Sequence, residues 1–316
     1  MVIVITLNYN QNEYTLKCVE SILQSTYINY KLLLVDNGST DVNFKQLSKA
    51  IPNDDHLELL RIEKNCGYVG GINFGLTESK KFNPNYVMIM NNDTILDKYG
   101  IENLVKTCSD YNNKAIITGK VYYYDRPKVF QDIGWVFTNK KTLEIKRVGL
   151  DETDTGQYDI IEERDLMDDV FWLFPSKLYE EIGGYSPYFW FSAEQADFAL
   201  RAKRKGYKLI YTPEAKLWHK GSVSFGGRGE NPKLAYWHTQ STLIFRFRHL
   251  STFQFLKQYL KTIKSIIASY IKAIKNKYFK GKDVSFKYAN AKMSGFWYFN
   301  KWLFIRNNNK GINPFN

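Results

Sequence analysis

Cysteine is scarce: three residues in 316, Cys18, Cys66 and Cys108. An odd count at wide spacing excludes a disulfide framework and a cysteine-built zinc site, and makes a reducing cytoplasm the expected compartment. Long apolar runs are missing too. No uninterrupted stretch approaches the ~18–20 residues that a bilayer-spanning helix needs. The opening MVIVITLNYN lacks a basic segment followed by an apolar core and a small-residue cleavage site, so it reads as a strand and not as a signal peptide. No internal repeat is visible, and no recognised nucleic-acid module accompanies the basic residues, so nucleic acid is not an expected partner. Acidic residues are nearly absent from one end of the chain. Residues 201–316 hold 24 Lys+Arg against 3 Asp+Glu, whereas residues 1–200 hold 20 against 29. The net charge of +12 is therefore a basic tail on an acidic body.

What is present suits a globular fold. The chain is 44% hydrophobic and 24% charged, enough for a sizeable core. Its 23 Tyr exceed what a small core needs, which points to a polar ligand groove or a membrane-facing surface. Apolar runs bounded by turn residues occur at Val2–Leu7, Lys31–Val35, Leu57–Ile62, Tyr86–Met90 and Lys114–Val121. Stretches of helical spacing lie between the early ones, such as Tyr14–Leu23 and Phe44–Ile51. Strands alternating with helices predict an α/β domain with a mostly parallel central sheet, which binds ligands beyond the carboxyl ends of its strands.

Those strand ends carry a pattern. The first is followed by Thr6-Leu7-Asn8-Tyr9-Asn10, the second by Asp36-Asn37-Gly38-Ser39-Thr40-Asp41, and the third by the glycine-rich Asn65-Cys66-Gly67-Tyr68-Val69-Gly70-Gly71-Ile72-Asn73. Asn91-Asn92-Asp93-Thr94 follows the fourth. Small, polar and acidic residues at four consecutive ends point to a nucleotide-like ligand, with glycines allowing close approach and a helix N-terminus favouring anions. Each loop taken singly also reads as an ordinary turn.

In this order, with Ala193-Glu194-Gln195-Ala196-Asp197 and Trp218-His219-Lys220-Gly221 further on, the motifs resemble glycosyltransferase family 2 over about residues 1–225. The likeness is greatest to its rhamnosyltransferase-like bacterial polysaccharide branch. The resemblance implies a GT-A fold, a Rossmann-like nucleotide-sugar-binding domain. It implies an inverting transfer from a UDP- or dTDP-sugar to a glycan or lipid-linked hydroxyl, with Mn²⁺ or Mg²⁺ as cofactor. On it, Asp36 receives the nucleobase, with Thr6, Asn8 and Asn65 around the nucleoside. Gly71 and Asn73 lie along the donor, and Asn91-Asn92-Asp93 takes the place of the family's metal-binding DxD. His219 then assists at the metal or leaving group. The family carries two adjacent acids at the start of the late helix, and Gln195 stands where the second belongs. A neutral amide takes no proton, so Glu194 is the remaining base and Asp197 an acceptor-positioning residue; alternatively both acids serve only the positive end of their helix.

Aromatic clusters near that helix make Trp172 and Trp190 candidates for stacking on the acceptor, or simply core. Residues 122–168 read as an irregular lid or insertion. The tail supplies Leu256, Leu260, Ile263, Ile267, Tyr270 and Ile274 on one helical face, with Lys257, Lys261, Lys264, Lys272 and Lys275 on an adjoining stripe. Two uses compete: an interfacial helix on an anionic membrane, or an apolar face packed on the catalytic body. The expected organisation is a GT-A domain over residues 1–229 and a basic helical appendage over 230–316. An enzyme on the inner face of the cell membrane fits this pattern. A GT-A binding module disabled at Gln195 is the alternative. A sugar-phosphate nucleotidyltransferase is disfavoured because its Lys/Arg-bearing glycine loop is missing.

Overall fold

The computed structural model describes residues 1–221, 231–280 and 284–305. In β1 (Val2–Asn8), Val2 and Val4 enter one apolar cluster while Ile3 and Ile5 enter another on the opposite face. A strand covered on both faces needs no polar alternation, which is why it reads as a continuous apolar run. It pairs in parallel with β2 (Tyr30–Asn37) and β4 (Tyr86–Met90), and β2 pairs in parallel with β3 (Leu57–Ile62). Helices α1 (Asn12–Leu23) and α2 (Asp41–Ala50) cover one face, and α3 (Gly67–Ser79) covers the other. All five expected strands are present within a residue or two of their expected limits.

The rest of the sheet is assembled out of chain order. After β5 (Thr94–Leu96), α4 (Gly100–Asp110) and β6 (Ala115–Tyr123) come β7 (Phe130–Asp132), β8 (Trp135–Asn139), β9 (Glu144–Arg147) and β10 (Glu162–Glu163). Then follow β11 (Phe171–Pro175), α5 (Ser176–Ile182), α6 (Glu194–Arg204) and β12 (Lys208–His219). The sheet runs β10-β12-β6-β11-β4-β1-β2-β3, with β5 on β12 and β7 on β6. β11 is antiparallel to both its neighbours, β4 and β6, and it qualifies the expected parallel sheet. The 122–168 segment is more ordered than a lid. A β8–β9 hairpin, β7 and β10 occupy it, and the buried Lys120 anchors it through Asp154, at 2.7 Å, and Asp159.

Helices α7 (Pro232–His249), α8 (Thr252–Lys280) and α9 (Val284–Ile305) follow. Leu243, Ile244, Phe255, Phe299 and Trp302 join the same apolar cluster as Ile3, Trp172 and Phe198. The expected boundary at 229/230 lies outside the described residues. Helix α8 packs with Phe255, Gln258, Ile266 and Ala273 inward. Phe253, Leu256, Leu260, Ile267, Ile271, Ile274 and Tyr278 face solvent. At about 100° per residue these seven fall within an arc of about 60°, and Lys257, Lys261, Lys264, Lys272 and Lys275 form the adjoining band. The aliphatic stripe therefore points away from the body. No helix among the described residues is long and apolar enough to cross a membrane.

Candidate active site

Strand β12 returns antiparallel to β5 with His219 opposite Thr94, which brings the LWHKG segment to the end of the Asn91-Asn92-Asp93 turn. His219 Nε2 lies 3.1 Å from Asp93 Oδ1, and Nδ1 lies 2.5 Å from Gln131 Oε1. With the Gln131 oxygen accepting from Nδ1–H, Nε2 is turned towards the Asp93 carboxylate. Burial pushes the Asp93 carboxyl up, but the charge and hydrogen bond of His219 outweigh it, holding Asp93 below the ordinary range. A carboxylate and an imidazole are suitable donors for a divalent cation. Among the described residues no third His, Cys, Asp or Glu joins them, so such an ion would draw its other ligands from a diphosphate and water.

Beside this pair the β1 and β2 ends form a closed network. Asp36 Oδ2 accepts from Asn8 Nδ2 at 2.8 Å, and Oδ1 accepts from the Ser39 amide at 3.1 Å. Asn8 Oδ1 accepts from the Thr15 hydroxyl at 2.8 Å, and Asn92 Nδ2 donates to the same hydroxyl at 2.8 Å. Thr6, Asn8 and Asp36 are wholly buried, so they lie beneath the site and offer no exposed face, which corrects the expected direct contact of Asp36 with a nucleobase. Asn65, Asn91, Asn92 and Asp93 are partly exposed. Gly38, at φ +77°, lets this buried layer touch the Asn65 loop, since a Cβ there would sit 2.2 Å from the Asn65 nitrogen.

Two donor residues serve packing. A Cβ on Gly71 would meet Leu7 at 2.8 Å, so glycine there seats α3 on β1. Both amide atoms of Asn73 are taken by the Tyr185 backbone, at 2.9 and 2.8 Å, which corrects its placement along the donor.

The register Phe171↔Met90 sets the β11 approach against the β4 exit, and the Asn91 amide donates to the Val170 carbonyl at 3.1 Å. Asp169 thus reaches the same sheet edge as the Asn91-Asn92-Asp93 turn. Its Oδ2 accepts from Tyr68 at 2.9 Å and Tyr185 at 2.5 Å. Burial, then the charge of Asp168, pushes its carboxyl up to about 7. Glu194 opens α6 after two left-handed residues, Ser192 (φ +74°) and Ala193 (φ +66°). It is only 3% exposed, and Oε2 has no hydrogen-bond partner. Burial, then the charge of Asp169, drives it well above the ordinary carboxyl range. Gln195 Oε1 is also buried without a partner.

Asp197 contrasts with its neighbour. Its carboxylate accepts from Arg201 Nε (2.9 Å), Arg248 Nε (2.9 Å) and His249 Nε2 (2.8 Å). Burial opposes its charge, but these partners bring it down to about 2. Its oxygens are held by Arg201 within α6 and by Arg248 and His249 of α7, and it is wholly buried, which corrects the expected acceptor-positioning role. Trp172 is corrected likewise: it is wholly buried in β11 against Phe174 and Phe198 and offers no face to a ligand. Trp190 is 6% exposed, stacked on Trp237 with centroids 5.8 Å apart. Sequence reasoning missed Tyr68, Tyr185, Gln131, Arg248 and His249; no local spacing marks them, because long-range packing brings each to its partner.

Comparison with known proteins agrees with this geometry. The profile of Glycosyl transferase family 2 matches residues 2–167. Glycosyltransferase GlyG of Streptococcus pneumoniae serotype 4 is 32% identical over 117 residues, 37% of this chain and 38% of that protein. Poly-beta-1,6-N-acetyl-D-glucosamine synthase of Staphylococcus aureus (strain COL) is 21% identical over 69% of this chain and 50% of its own length. The chain thus spans half or less of these two relatives. The crystal structure of GalNAc-T7 with UDP, GalNAc and Mn2+ superposes with a TM-score of 0.54 at 12% identity, over 84% of this chain and 58% of that one. At that identity the likeness speaks for the fold alone, and the fold is GT-A. The chain belongs to glycosyl transferase family 2.

Proposed function

We propose that this protein transfers a sugar from a nucleotide-sugar donor, a UDP- or dTDP-sugar, to a hydroxyl of a glycan or lipid-linked acceptor, inverting the anomeric centre, in the synthesis of a cell-surface polysaccharide. One observation carries the reading: a single sheet edge holds the Asp93–His219 pair and, through the β4–β11 register, the Asp169–Glu194 cluster. The first suits a departing diphosphate. Mn²⁺ or Mg²⁺ held by Asp93 and His219 would supply charge neutralisation for that diphosphate. Asn91 and Asn92 border the turn, and the floor of Thr6, Asn8 and Asp36 underlies the nucleoside. Glu194 is the base. Its unpartnered Oε2 is free to take an acceptor hydroxyl proton, and a carboxyl raised by burial has a proton affinity nearer an operating pH. Asp169, held by two tyrosines, keeps that affinity high.

Single-turnover rates of Glu194→Gln and Gln195→Glu against a panel of UDP-, dTDP- and GDP-sugars with Mn²⁺ test the assignment. Loss of about 10²–10⁴-fold in the first supports Glu194. A strong gain in the second with no loss in the first moves the base to position 195.

The solvent-facing stripe of α8 supports a place on the cytoplasmic face of an anionic membrane. Its apolar arc beside a band of lysines, in a helix without one acidic residue, matches an anionic leaflet. The same charge opposes pairing of two copies through this face.

A further inference from the structure

The helical tail holds a pocket with basic walls. Helices α7, α8 and α9 and strand β9 border an open pocket of about 590 Å³ whose walls include Glu144, His238, Arg246, Lys261 and Lys292. Glu144 pairs with Lys261 at 3.3 Å, and the two charges cancel. Among the described residues neither of the other two cations makes an ion pair, although the charge of Glu144 acts on Arg246. The Arg246 guanidinium makes no hydrogen bond or ion pair with any described residue, and burial, opposed by the charge of Glu144, pushes it below the usual range. Lys292 Nζ is held only by neutral oxygens: Ser265 Oγ at 2.7 Å, Ser269 Oγ at 3.0 Å and the Ser265 carbonyl at 3.3 Å. Half-buried cations that lack a paired anion are ready partners for an incoming one. A guanidinium beside an ammonium suits the oxygens of a phosphate ester.

The pocket is wired to the reaction centre. His238 on its wall makes a 2.9 Å hydrogen bond to Ser192 Oγ, in the left-handed pair that sets the start of α6 and Glu194. Burial, then the charge of Arg147, keeps this imidazole toward its neutral form, so the pocket's excess charge rests on Arg246 and Lys292.

We infer that this pocket binds the phosphate or diphosphate of a phosphate-bearing acceptor, with Arg246 and Lys292 as its ligands. The inference rests on the proposed transferase reading, and it gives the acceptor an anionic handle distinct from the donor diphosphate at Asp93. A lipid carrier and a free sugar phosphate present the same chemistry, so both are probed.

Calorimetry on the full chain, first saturated with whichever of UDP, dTDP or GDP raises its melting midpoint, measures geranyl diphosphate and glucose 1-phosphate in turn. Binding of either, weakened about tenfold or more by Arg246→Met and by Lys292→Met, is the expected result, a loss of the size a charged hydrogen bond gives. Affinity for geranyl diphosphate alone identifies a lipid carrier, and for glucose 1-phosphate alone a water-soluble acceptor. Lys292→Arg should retain binding, and Lys301→Met, on the exposed face of α9, should leave it unchanged. Nucleotide affinity measured in every variant reports correct folding. Absence of binding by both probes overturns the inference, as does binding that both Met variants leave intact or that added nucleotide displaces. If no nucleotide binds, the donor reading fails by that result, while the Met variants still test the pocket.

Discussion

Replacing Asp197 with Asn should detach the catalytic helix from α7 without touching the proposed reacting groups. The carboxyl falls from 3.8 to about 2, burial being overcome by His249, Arg201 and Arg248. At 1.36 kcal/mol per unit, that shift corresponds to roughly 2.5 kcal/mol of stability near neutral pH. Removing one member of a buried ion pair costs about 3–5 kcal/mol where the remaining charge has no other partner. Arg201 keeps the Ile182 and Gly184 carbonyls, both at 2.7 Å, and this tempers the loss. Urea unfolding at pH 7 should therefore show Asp197→Asn destabilised by about 2–3 kcal/mol, with nucleotide binding retained. The pH dependence carries a definite sign. A depressed carboxyl contributes stability above its unfolded value and loses it as pH falls towards its folded one. The gap between parent and variant should accordingly shrink by about 1 kcal/mol from pH 5 to pH 3. A gap below about 0.5 kcal/mol at pH 7, or one constant down to pH 3, would refute the reasoning.

Asp93→Ala should abolish Mn²⁺-dependent nucleotide binding, read by calorimetry; undiminished affinity with the metal present sinks the Asp93 assignment. Glu194→Gln should unfold at equal or higher denaturant than the parent at pH 8, and the advantage should vanish by pH 5. A raised carboxyl is costly to the fold only where it must ionise, so a variant less stable at pH 8 than at pH 5, relative to the parent, contradicts the burial argument. Trp172→Ala should cost about 3–5 kcal/mol in urea unfolding, as loss of a wholly buried indole does; a loss under 1 kcal/mol would reopen its acceptor role. The triple change Leu260→Ser, Ile267→Ser, Ile271→Ser removes only exposed side chains, so the melting temperature should hold while co-sedimentation with phosphatidylglycerol vesicles falls. Equal sedimentation of parent and variant at low salt defeats the membrane reading.

Strands β1, β2 and β4 and the loops behind them were legible because each of these strands is buried on both faces and ends in turn residues. Strand β3, half-buried throughout, showed as a short apolar run between turn signals. The Asp93–His219 meeting followed from motif order, although Gln131, which orients the imidazole, did not. Its role depends on β7 lying beside β6, a pairing that local pattern does not encode. Asp197 misled because spacing along a helix does not reveal partners arriving from another helix, here Arg248 and His249. Trp172 misled for a related reason: an aromatic run looks alike in a groove and in a central strand, and only the β4–β11–β6 pairing tells them apart. The apolar period on α8 was correctly placed in sequence, but periodicity alone does not say which side of a helix the neighbours take, and the packed side proved to be Phe255, Gln258, Ile266 and Ala273.

The sheet order has a consequence for how the chain is made. Strand β6 lies between β11 and β12, and both are translated after it. While β1 to β4 find one another as they emerge, β6 leaves the ribosome with only β7, paired at Val121 and Tyr122, as an early partner. Roughly fifty further residues must follow before β11 arrives, a wait of about 2–10 s at ~5–20 residues per second. An apolar strand left unpaired along most of its length is a template for wrong partners. Slow translation through 124–170 would prolong that exposure, and a holding chaperone would act there, on the nascent chain, before any catalytic group has reached its place.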